Sequence, residues 1–180
     1  MKTKLTGYAV ELKQLTEADM EQVHAWRNLP EVREKMLNTQ PIPWREHEAW
    51  YINMLGCDKQ CHFKIIFRGK GVGVISVRAT EPLQFASKAE IGIYIAEPEC
   101  KGNLIAFSPS LLLIDYLFEA LNFMALESLV RQDNREALRY NKVLGYKVTA
   151  CDTSDLLKIE LTPESYAAAT KKIKAFLSRN

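Results

Sequence analysis

Patterns typical of strands and of helices alternate along this 180-residue chain, and their order limits the folds open to it. Two runs of β-branched and aromatic residues, 62–67 and 72–78, flank a glycine-containing segment and predict an antiparallel hairpin. The strongly apolar residues 111–121 predict a helix that is covered on most sides. Together the elements predict a mixed sheet with helices on its faces, of the α/β (α+β) class. The other predicted elements are a strand at 8–14, helices at 16–29 and 43–55 with a further helical turn at 31–36, strands at 90–96 and 127–131, a helix at 135–144, a hairpin at 146–149 and 156–161, and a helix at 163–177.

The composition favours one domain over residues 1–180. Hydrophobic residues make up 47% of the chain, which is enough for a core, and no linker-like run or repeat interrupts it. There are 24 basic and 22 acidic residues, so the net charge is 24 − 22 = +2, and nucleic acid is not an expected partner. The N-terminus has no apolar stretch that suits a signal peptide or a membrane span, so we expect a cytoplasmic protein without membrane contact.

The four cysteines give no sign of a metal site or of a disulfide framework. They form no C-x-x-C pair, and no histidines stand at zinc-site spacing from them. We therefore expect free thiols and no metal. The residues concerned are Cys57, Cys61, Cys100 and Cys151.

Two helices each carry a hydrogen-bond donor on an apolar face. At 100° per residue, Arg27 lies within the apolar arc of the helix at 16–29, and His47 lies at the centre of the apolar face of the next helix. An ion-paired arginine and a satisfied core histidine are the plain explanations. The alternative is an anionic small-molecule group bound between the two helices.

A strand at residues 90–95 leads through a glycine-bearing turn to the apolar helix. Unpaired amides and the helix dipole at such a turn favour a phosphate group, although an ordinary strand-to-helix turn has the same pattern.

Residues 131–146, with the sequence RQDNREALRYNKVLGY, resemble the closing signature of the GNAT superfamily of acetyltransferases. The resemblance implies a GNAT fold, with about seven mostly antiparallel strands splayed at the middle and four to five helices. It also implies acetyl-CoA as co-substrate, with its pantetheine arm along the backbone of the strand that holds Ile93 and Ile95. The remaining implied cofactor-binding residues are Lys101, Gly102, Asn103, Leu104, Ile105 and Ala106 at the pyrophosphate, and Asn134 and Asn141 in the closing signature.

A narrower resemblance is to GNAT enzymes of the pseudaminic acid pathway, which acetylate the 4-amino group of a UDP-linked amino sugar for flagellin glycosylation. It is carried by the segment Trp26-Arg27-Asn28 and by His47 and Trp50. It implies a nucleotide-sugar acceptor and a possible homodimer. Two alternatives stay open: an acetyltransferase of protein N-termini, similar to those that modify ribosomal proteins, and a non-catalytic GNAT-fold module. The implied substrate-binding residues are Arg27, Asn28, His47, Trp50 and Tyr94.

The chain departs from the superfamily pattern at two places, the pyrophosphate turn with the helix start after it and the closing signature. Leu104 occupies the position of the second glycine of the pyrophosphate turn, and Pro109 predicts a helix that begins late or kinks. In the closing signature Asn141 aligns with the tyrosine often assigned as general acid, and Tyr140 is one position away.

Acyl transfer to an amine needs a neutral nucleophile, a polarised carbonyl and a proton for the departing thiolate. The amides near Ile95 could bond the thioester carbonyl, and Glu90 could accept the proton of the ammonium group. Tyr94 or Tyr140 could serve the thiolate. A carboxylate with a purely structural role at a strand edge is the alternative for Glu90.

Overall fold

A computed structural model describes residues 1–150 and 155–177, in which eight strands form one sheet in the order β1-β2-β3-β4-β5-β6-β8-β7. All neighbouring strands are antiparallel except β5 and β6, which are parallel. This is the predicted α/β class and mixed sheet. The strands are β1 (Lys4–Gly7), β2 (Val10–Gln14), β3 (Gln60–Phe67), β4 (Lys70–Arg78), β5 (Lys88–Ile95), β6 (Ala125–Arg131), β7 (Lys147–Ala150) and β8 (Leu156–Leu161).

Six α-helices flank the sheet within the same residues, one more than the upper end of the predicted range. They divide the core between the two faces of the sheet. On one face α1 and α3 enclose a smaller cluster with Trp26 and Val74, and on the other face α4, α5 and α6 cover a larger one. The helices are α1 (Met20–Asn28), α2 (Pro30–Arg33), α3 (Trp44–Leu55), α4 (Ser108–Asp115), α5 (Arg135–Leu144) and α6 (Pro163–Leu177).

The extra strand comes from a turn that the sequence pattern does not signal. The predicted strand at 8–14 begins only at Val10, because Tyr8 and Ala9 form a left-handed turn with φ angles of 49° and 63°. Residues other than glycine rarely adopt such angles, so neither side chain predicts a turn. The eight strands thus replace the expected seven.

The helix at the centre of the chain begins earlier than expected and ends in an unusual turn. It starts at Ser108, which places Pro109 in the first turn, where a missing amide proton costs no hydrogen bond. The predicted late start at residue 111 was wrong. After Asp115 the chain continues as a π-helical turn, Tyr116–Ala120.

The sheet is splayed at its middle, as expected. Strands β5 and β6 are in register only at Lys88 with Ala125 and at Ala89 with Leu126. Beyond these pairs, β5 stays with β4 as far as Ile95, while β6 stays with β8. The gap that opens between β5 and β6 is called the cleft below.

Candidate active site

The β5 side of the cleft has backbone groups without strand partners. The amide of Ala96 donates to the carbonyl oxygen of Val72 on β4 at 2.8 Å. Because backbone groups alternate sides along a strand, those of Ile93 and Ile95 point away from β4 and into the cleft. A ligand with amide groups can therefore extend β5 by hydrogen bonds, which fits the pantetheine arm of coenzyme A.

The predicted pyrophosphate turn, residues 101–106, leads from β5 towards α4. Gly102 has a φ of 70°, and Asn103 accepts a hydrogen bond from the Ile105 amide at 3.1 Å. No hydrogen bond to another described residue involves the amides of Gly102, Asn103 or Leu104. The Leu104 side chain is 45% exposed, so the residue at the second glycine position points largely to solvent. Three unpaired amides on one short turn suit a pyrophosphate group.

The hydroxyl of Tyr140 joins α5 to this turn. It lies 3.1 Å from the Ala106 carbonyl oxygen and 2.8 Å from Ser110 Oγ, and the ring stacks on Phe107 with centroids 4.6 Å apart. Burial raises the pKa of Tyr140 above its ordinary value. These contacts give Tyr140 a structural role, and its role as proton donor stays a prediction.

The two asparagines of the closing signature differ in their contacts. Asn134 caps α5, because its Oδ1 accepts from the Ala137 amide at 3.1 Å, and its Nδ2 donates to the carbonyl of Lys35 at 3.4 Å. The side chain of Asn141 has no hydrogen bond to any other residue that the structure describes. Asn141 is thus the signature asparagine whose amide is available to a ligand.

Glu90 lies at the mouth of the cleft, where β5 and β6 part. Its Oε1 accepts a hydrogen bond from Ser128 Oγ at 2.8 Å, and its Oε2 is 2.9 Å from Arg78. The Glu90 side chain is 32% exposed, so an incoming amine can reach the carboxylate directly or through water. Ser128 and Arg78 were not identified from the sequence, because only the strand register brings them to Glu90.

Arg27 and Tyr94 are brought together on the α1 face of the sheet. Arg27 Nη1 and the Tyr94 hydroxyl are both buried, and neither has a hydrogen-bond partner among the residues described. Burial lowers the pKa of Arg27, partly offset by Tyr94, and burial raises the pKa of Tyr94, partly offset by Arg27. Unpaired buried polar groups are costly, so this pair marks a place for a polar or anionic ligand group.

His47 is buried, and its Nε2 lies 3.1 Å from the carbonyl oxygen of Met20. Burial lowers the pKa of His47, so the neutral ring that donates to Met20 is favoured. Its ring stacks on Trp50 with centroids 5.1 Å apart. The contact with Met20 joins α3 to α1, whereas the stacking on Trp50 lies within α3, and a satisfied core histidine has such contacts. A direct contact of His47 or Trp50 with substrate stays a prediction.

The side chain of Asn28 is engaged with the backbone of Ile42. Ile42 donates its amide to Asn28 Oδ1 at 2.7 Å, and Asn28 Nδ2 donates to the Ile42 carbonyl at 3.0 Å. Both polar atoms of the Asn28 side chain are therefore already used, unlike Arg27 Nη1.

The acetyltransferase (GNAT) domain family matches residues 9–147. The chain belongs to the GNAT acetyltransferase family. It is an N-acetyltransferase with acetyl-CoA as the acetyl donor, which agrees with the splayed sheet and the unpaired amides of β5. Curated proteins give no significant match.

Solved structures share the fold of this GNAT protein at low sequence identity. A GCN5-related N-acetyltransferase from Brucella melitensis is 19% identical, with a TM-score of 0.78 over 98% of this chain and 86% of that chain. Spermidine N-acetyltransferase from Vibrio cholerae, in complex with CoA and spermine, is 18% identical, with a TM-score of 0.75 over 89% of this chain and 99% of that chain. Campylobacter jejuni N-acetyltransferase PseH, in complex with acetyl coenzyme A, is 21% identical, with a TM-score of 0.65 over 86% and 99%.

Two further findings concern residues 1–150 and 155–177 only. No group of three or more histidine, cysteine or acidic side chains is placed to hold a metal ion, and no helix has the length and hydropathy to cross a bilayer. Cys57, Cys61 and Cys100 are free thiols, and Cys151 lies outside the described residues.

Proposed function

We propose that this GNAT enzyme acetylates the amino group of a nucleotide-linked amino sugar, with the 4-amino group of a UDP-linked amino-dideoxy sugar of the pseudaminic acid pathway as the specific candidate. The observation that carries the proposal is the buried pair of Arg27 Nη1 and the Tyr94 hydroxyl, which lack partners among the described residues. A phosphate or sugar oxygen would satisfy both donors. The fold similarity to PseH of Campylobacter jejuni, whose structure holds acetyl coenzyme A, is consistent with the acetyl donor.

The charge of this pair argues against a polyamine acceptor. Arg27 has no carboxylate partner among the described residues, so a polycation bound there would face an uncompensated guanidinium group. An anionic acceptor would instead lower the cost of burying the charge. A sugar nucleotide carries the required negative charge on its phosphates.

In the proposed mechanism β5 and the turn that follows it bind the acetyl donor and remove the proton of the acceptor. The outward amides of Ile93 and Ile95 hold the pantetheine arm, and the amides of residues 102–104 receive the pyrophosphate. When bound, acetyl-CoA supplies the thioester carbonyl that the amine attacks. Glu90, fixed by Ser128 and Arg78, removes the proton of the acceptor ammonium group.

The proton donor for the leaving thiolate is proposed to be Tyr94. Its hydroxyl lacks a partner among the residues described, whereas that of Tyr140 lies within hydrogen-bond distance of Ala106 and Ser110. We propose that the Tyr94 hydroxyl binds the acceptor before the reaction and donates its proton to the thiolate afterwards. Kinetic measurements distinguish these two roles.

The direct test is a panel of acceptors with acetyl-CoA, read by mass spectrometry. The panel contains a UDP-linked 4-amino sugar, spermidine and a peptide with a free α-amino group. Acetylation of the sugar nucleotide with the greatest kcat/KM is expected. Turnover of spermidine or the peptide without turnover of the sugar would contradict the proposal.

Arg27→Ala tests the role of the buried pair. We expect the acceptor KM to rise by roughly ten- to a hundredfold, because a bond to a charged group is worth ~1.5–3 kcal/mol. The KM for acetyl-CoA should stay unchanged. Arg45→Ala, an exposed arginine of α3, is the matched control and should leave both constants as they are.

Tyr94→Phe separates a ligand contact from a structural one. Removing an unpaired buried hydroxyl should leave the melting temperature of the free enzyme unchanged or raise it, while acceptor KM rises. Because Tyr94 is also the proposed proton donor, kcat should fall as well. A fall in kcat at constant acceptor KM would leave only the role at the thiolate, and a rise in acceptor KM at constant kcat only the contact with the acceptor. Loss of thermal stability in both Arg27→Ala and Tyr94→Phe, without kinetic change, would make the pair structural.

A further inference from the structure

The α2–α3 loop, residues 34–43, is held against α1 by one asparagine. Asn28 bonds both backbone groups of Ile42, accepting from the amide at 2.7 Å and donating to the carbonyl at 3.0 Å. His24 Nε2 lies 2.7 Å from the same carbonyl oxygen and 3.0 Å from Asn28 Nδ2. An amide side chain is the group that offers a donor and an acceptor side by side, as this contact requires.

The same loop holds one half of the Arg27 guanidinium. Arg27 Nη2 donates to the carbonyl oxygen of Asn38 at 3.1 Å, four residues before Ile42. A guanidinium is planar and rigid, so fixing Nη2 also fixes the direction of Nη1. Nη1 is the buried nitrogen without a partner among the described residues, and Tyr94 lies close enough to affect the pKa of Arg27.

Beyond Arg27, the loop also contacts the helix that follows β6. Lys35 Nζ lies 3.0 Å from Glu136 on α5, and Asn134 Nδ2 donates to the carbonyl of Lys35 at 3.4 Å. Both members of the ion pair are largely exposed, so this pair contributes little to holding the loop. The firm attachment of the loop is therefore at Asn28, at its other end.

We propose that Asn28 is a positioning residue for acceptor binding, which holds the α2–α3 loop through Ile42 so that the Asn38 carbonyl orients Arg27 towards Tyr94. This inference rests on the proposed function, since it assumes that Arg27 and Tyr94 receive the acceptor. It assigns to Asn28 an effect on acceptor affinity without any contact with the acceptor.

The first experiment measures the loop without any ligand. Hydrogen–deuterium exchange of peptides covering residues 34–43 is compared in the wild type, Asn28→Ala and Val23→Ala. Val23 is a buried residue of the same helix, so Val23→Ala lowers stability without removing the contact with Ile42. Asn28→Ala should exchange faster in this loop alone. Equal loop exchange in Asn28→Ala and Val23→Ala would overturn the inference.

The second experiment measures the consequence for ligand binding, with UDP as probe in calorimetry and the UDP-linked amino sugar in kinetics. Asn28→Ala should weaken UDP and raise acceptor KM on the order of tenfold, the effect of misplacing one bond to a charged group. The KM for acetyl-CoA should not change, and Val23→Ala should change neither constant. Unchanged acceptor KM in Asn28→Ala would overturn the inference.

A double variant shows whether Asn28 acts through Arg27. If it does, Asn28→Ala should add little to Arg27→Ala, because the oriented group is already absent. Fully additive effects would contradict the inference.

Failure of the proposed function gives a different result from failure of this inference. If neither UDP nor the sugar nucleotide binds the wild type, the nucleotide-sugar assignment is wrong. Loop exchange, and the KM for whichever amine in the panel is acetylated, then decide the role of Asn28 independently.

Discussion

At the scale of single residues, hydrogen-bond satisfaction distinguishes the predicted site residues of this protein from one another. Arg27 and Tyr94 each keep a buried polar atom without a partner among the described residues, whereas His47 and Tyr140 have partners within 3.1 Å. Buried polar atoms are normally paired, so an unpaired one is a place where a ligand group or a water molecule can bind, and Ser108 Oγ is a third such atom among the described residues. Among the predicted site residues, Arg27 and Tyr94 have the strongest physical support.

The carboxylate of Glu90 gives a prediction at this scale. Glu90→Gln keeps the shape of the side chain and can still accept from Ser128, but it cannot take a proton from the acceptor. We expect kcat to fall by about 10²- to 10⁴-fold, the usual effect of losing a general base, with unchanged KM for acetyl-CoA. Steady-state kinetics across pH should also show a flatter acidic limb.

The matched control for Glu90 is Glu127→Gln on the adjacent strand. Glu127 pairs with Lys88 at 2.6 Å and with Lys158 at 3.3 Å, so it is also an ion-paired carboxylate near the β5–β6 junction. Its replacement should leave kcat nearly unchanged. Equal effects of the two variants would indicate a general electrostatic role and remove Glu90 from the mechanism.

At the scale of elements, the sequence best predicts where a helix or strand begins and ends when the residue at that position typically has one structural role. α5 was predicted at residues 135–144 and is found there, because Asn134 caps its start and Gly145 ends it with a φ of 99°. The β3–β4 hairpin and α6 were located for similar reasons. The Tyr8–Ala9 turn was missed, because its positive φ angles depend on pairing between β1 and β2 rather than on turn residues.

Gly145→Ala tests the end of α5. A Cβ atom at this position would lie 2.6 Å from the carbonyl oxygen of Ser165, and the positive φ adds strain. We expect the free energy of unfolding to fall by more than about 1 kcal/mol. Thermal unfolding should therefore shift down by at least ~2–4 °C.

Gly56→Ala at the end of α3 is the control for this strain. Its φ is −99°, and a Cβ atom there would have nothing within 4 Å. Its melting temperature should stay level or rise slightly, because alanine reduces the entropy of the unfolded chain. A similar loss in both variants would refute the explanation from strain at Gly145.

At the scale of the whole molecule, the sequence and its resemblance to GNAT enzymes predicted the splayed sheet and the position of the cleft. They did not predict which polar groups meet across elements. Ser128 reaches Glu90 through strand register, and Asn38 reaches Arg27 through the path of a loop. Such contacts depend on tertiary structure, which local patterns do not encode. The sequence thus indicated the candidate residues, whereas the contacts of their side chains follow only from the tertiary structure.

All three histidines of the chain lie in one row of rings between α1, α3 and β3. His24 is 5.0 Å from His47, His47 is 5.1 Å from Trp50, and Trp50 is 5.1 Å from His62. Burial, and then the charge of Arg78, lower the pKa of His62 to about 4. Burial also lowers the pKa of His47, and the charge of His24 lowers it further. The neutral rings of His47 and His62 are therefore part of the packing that holds α1 and α3 on the sheet.

This row of rings predicts how stability depends on pH. Above pH 6.5, the ordinary pKa of histidine, the His62 ring is neutral in both the folded and the unfolded chain, and its packing contributes fully. Between pH 6.5 and about 4 the unfolded chain binds a proton at His62 that the folded protein does not. The free energy of unfolding should therefore fall as pH decreases through this window, by as much as ~3 kcal/mol from His62. Urea unfolding at several pH values measures this change in the free energy of unfolding.

His62→Gln is the control variant. The carboxylates that titrate in the same pH range are present in both proteins, so the free energy of unfolding should fall less in His62→Gln than in the wild type. Parallel curves for the wild type and His62→Gln would show that His62 is not held neutral by the fold.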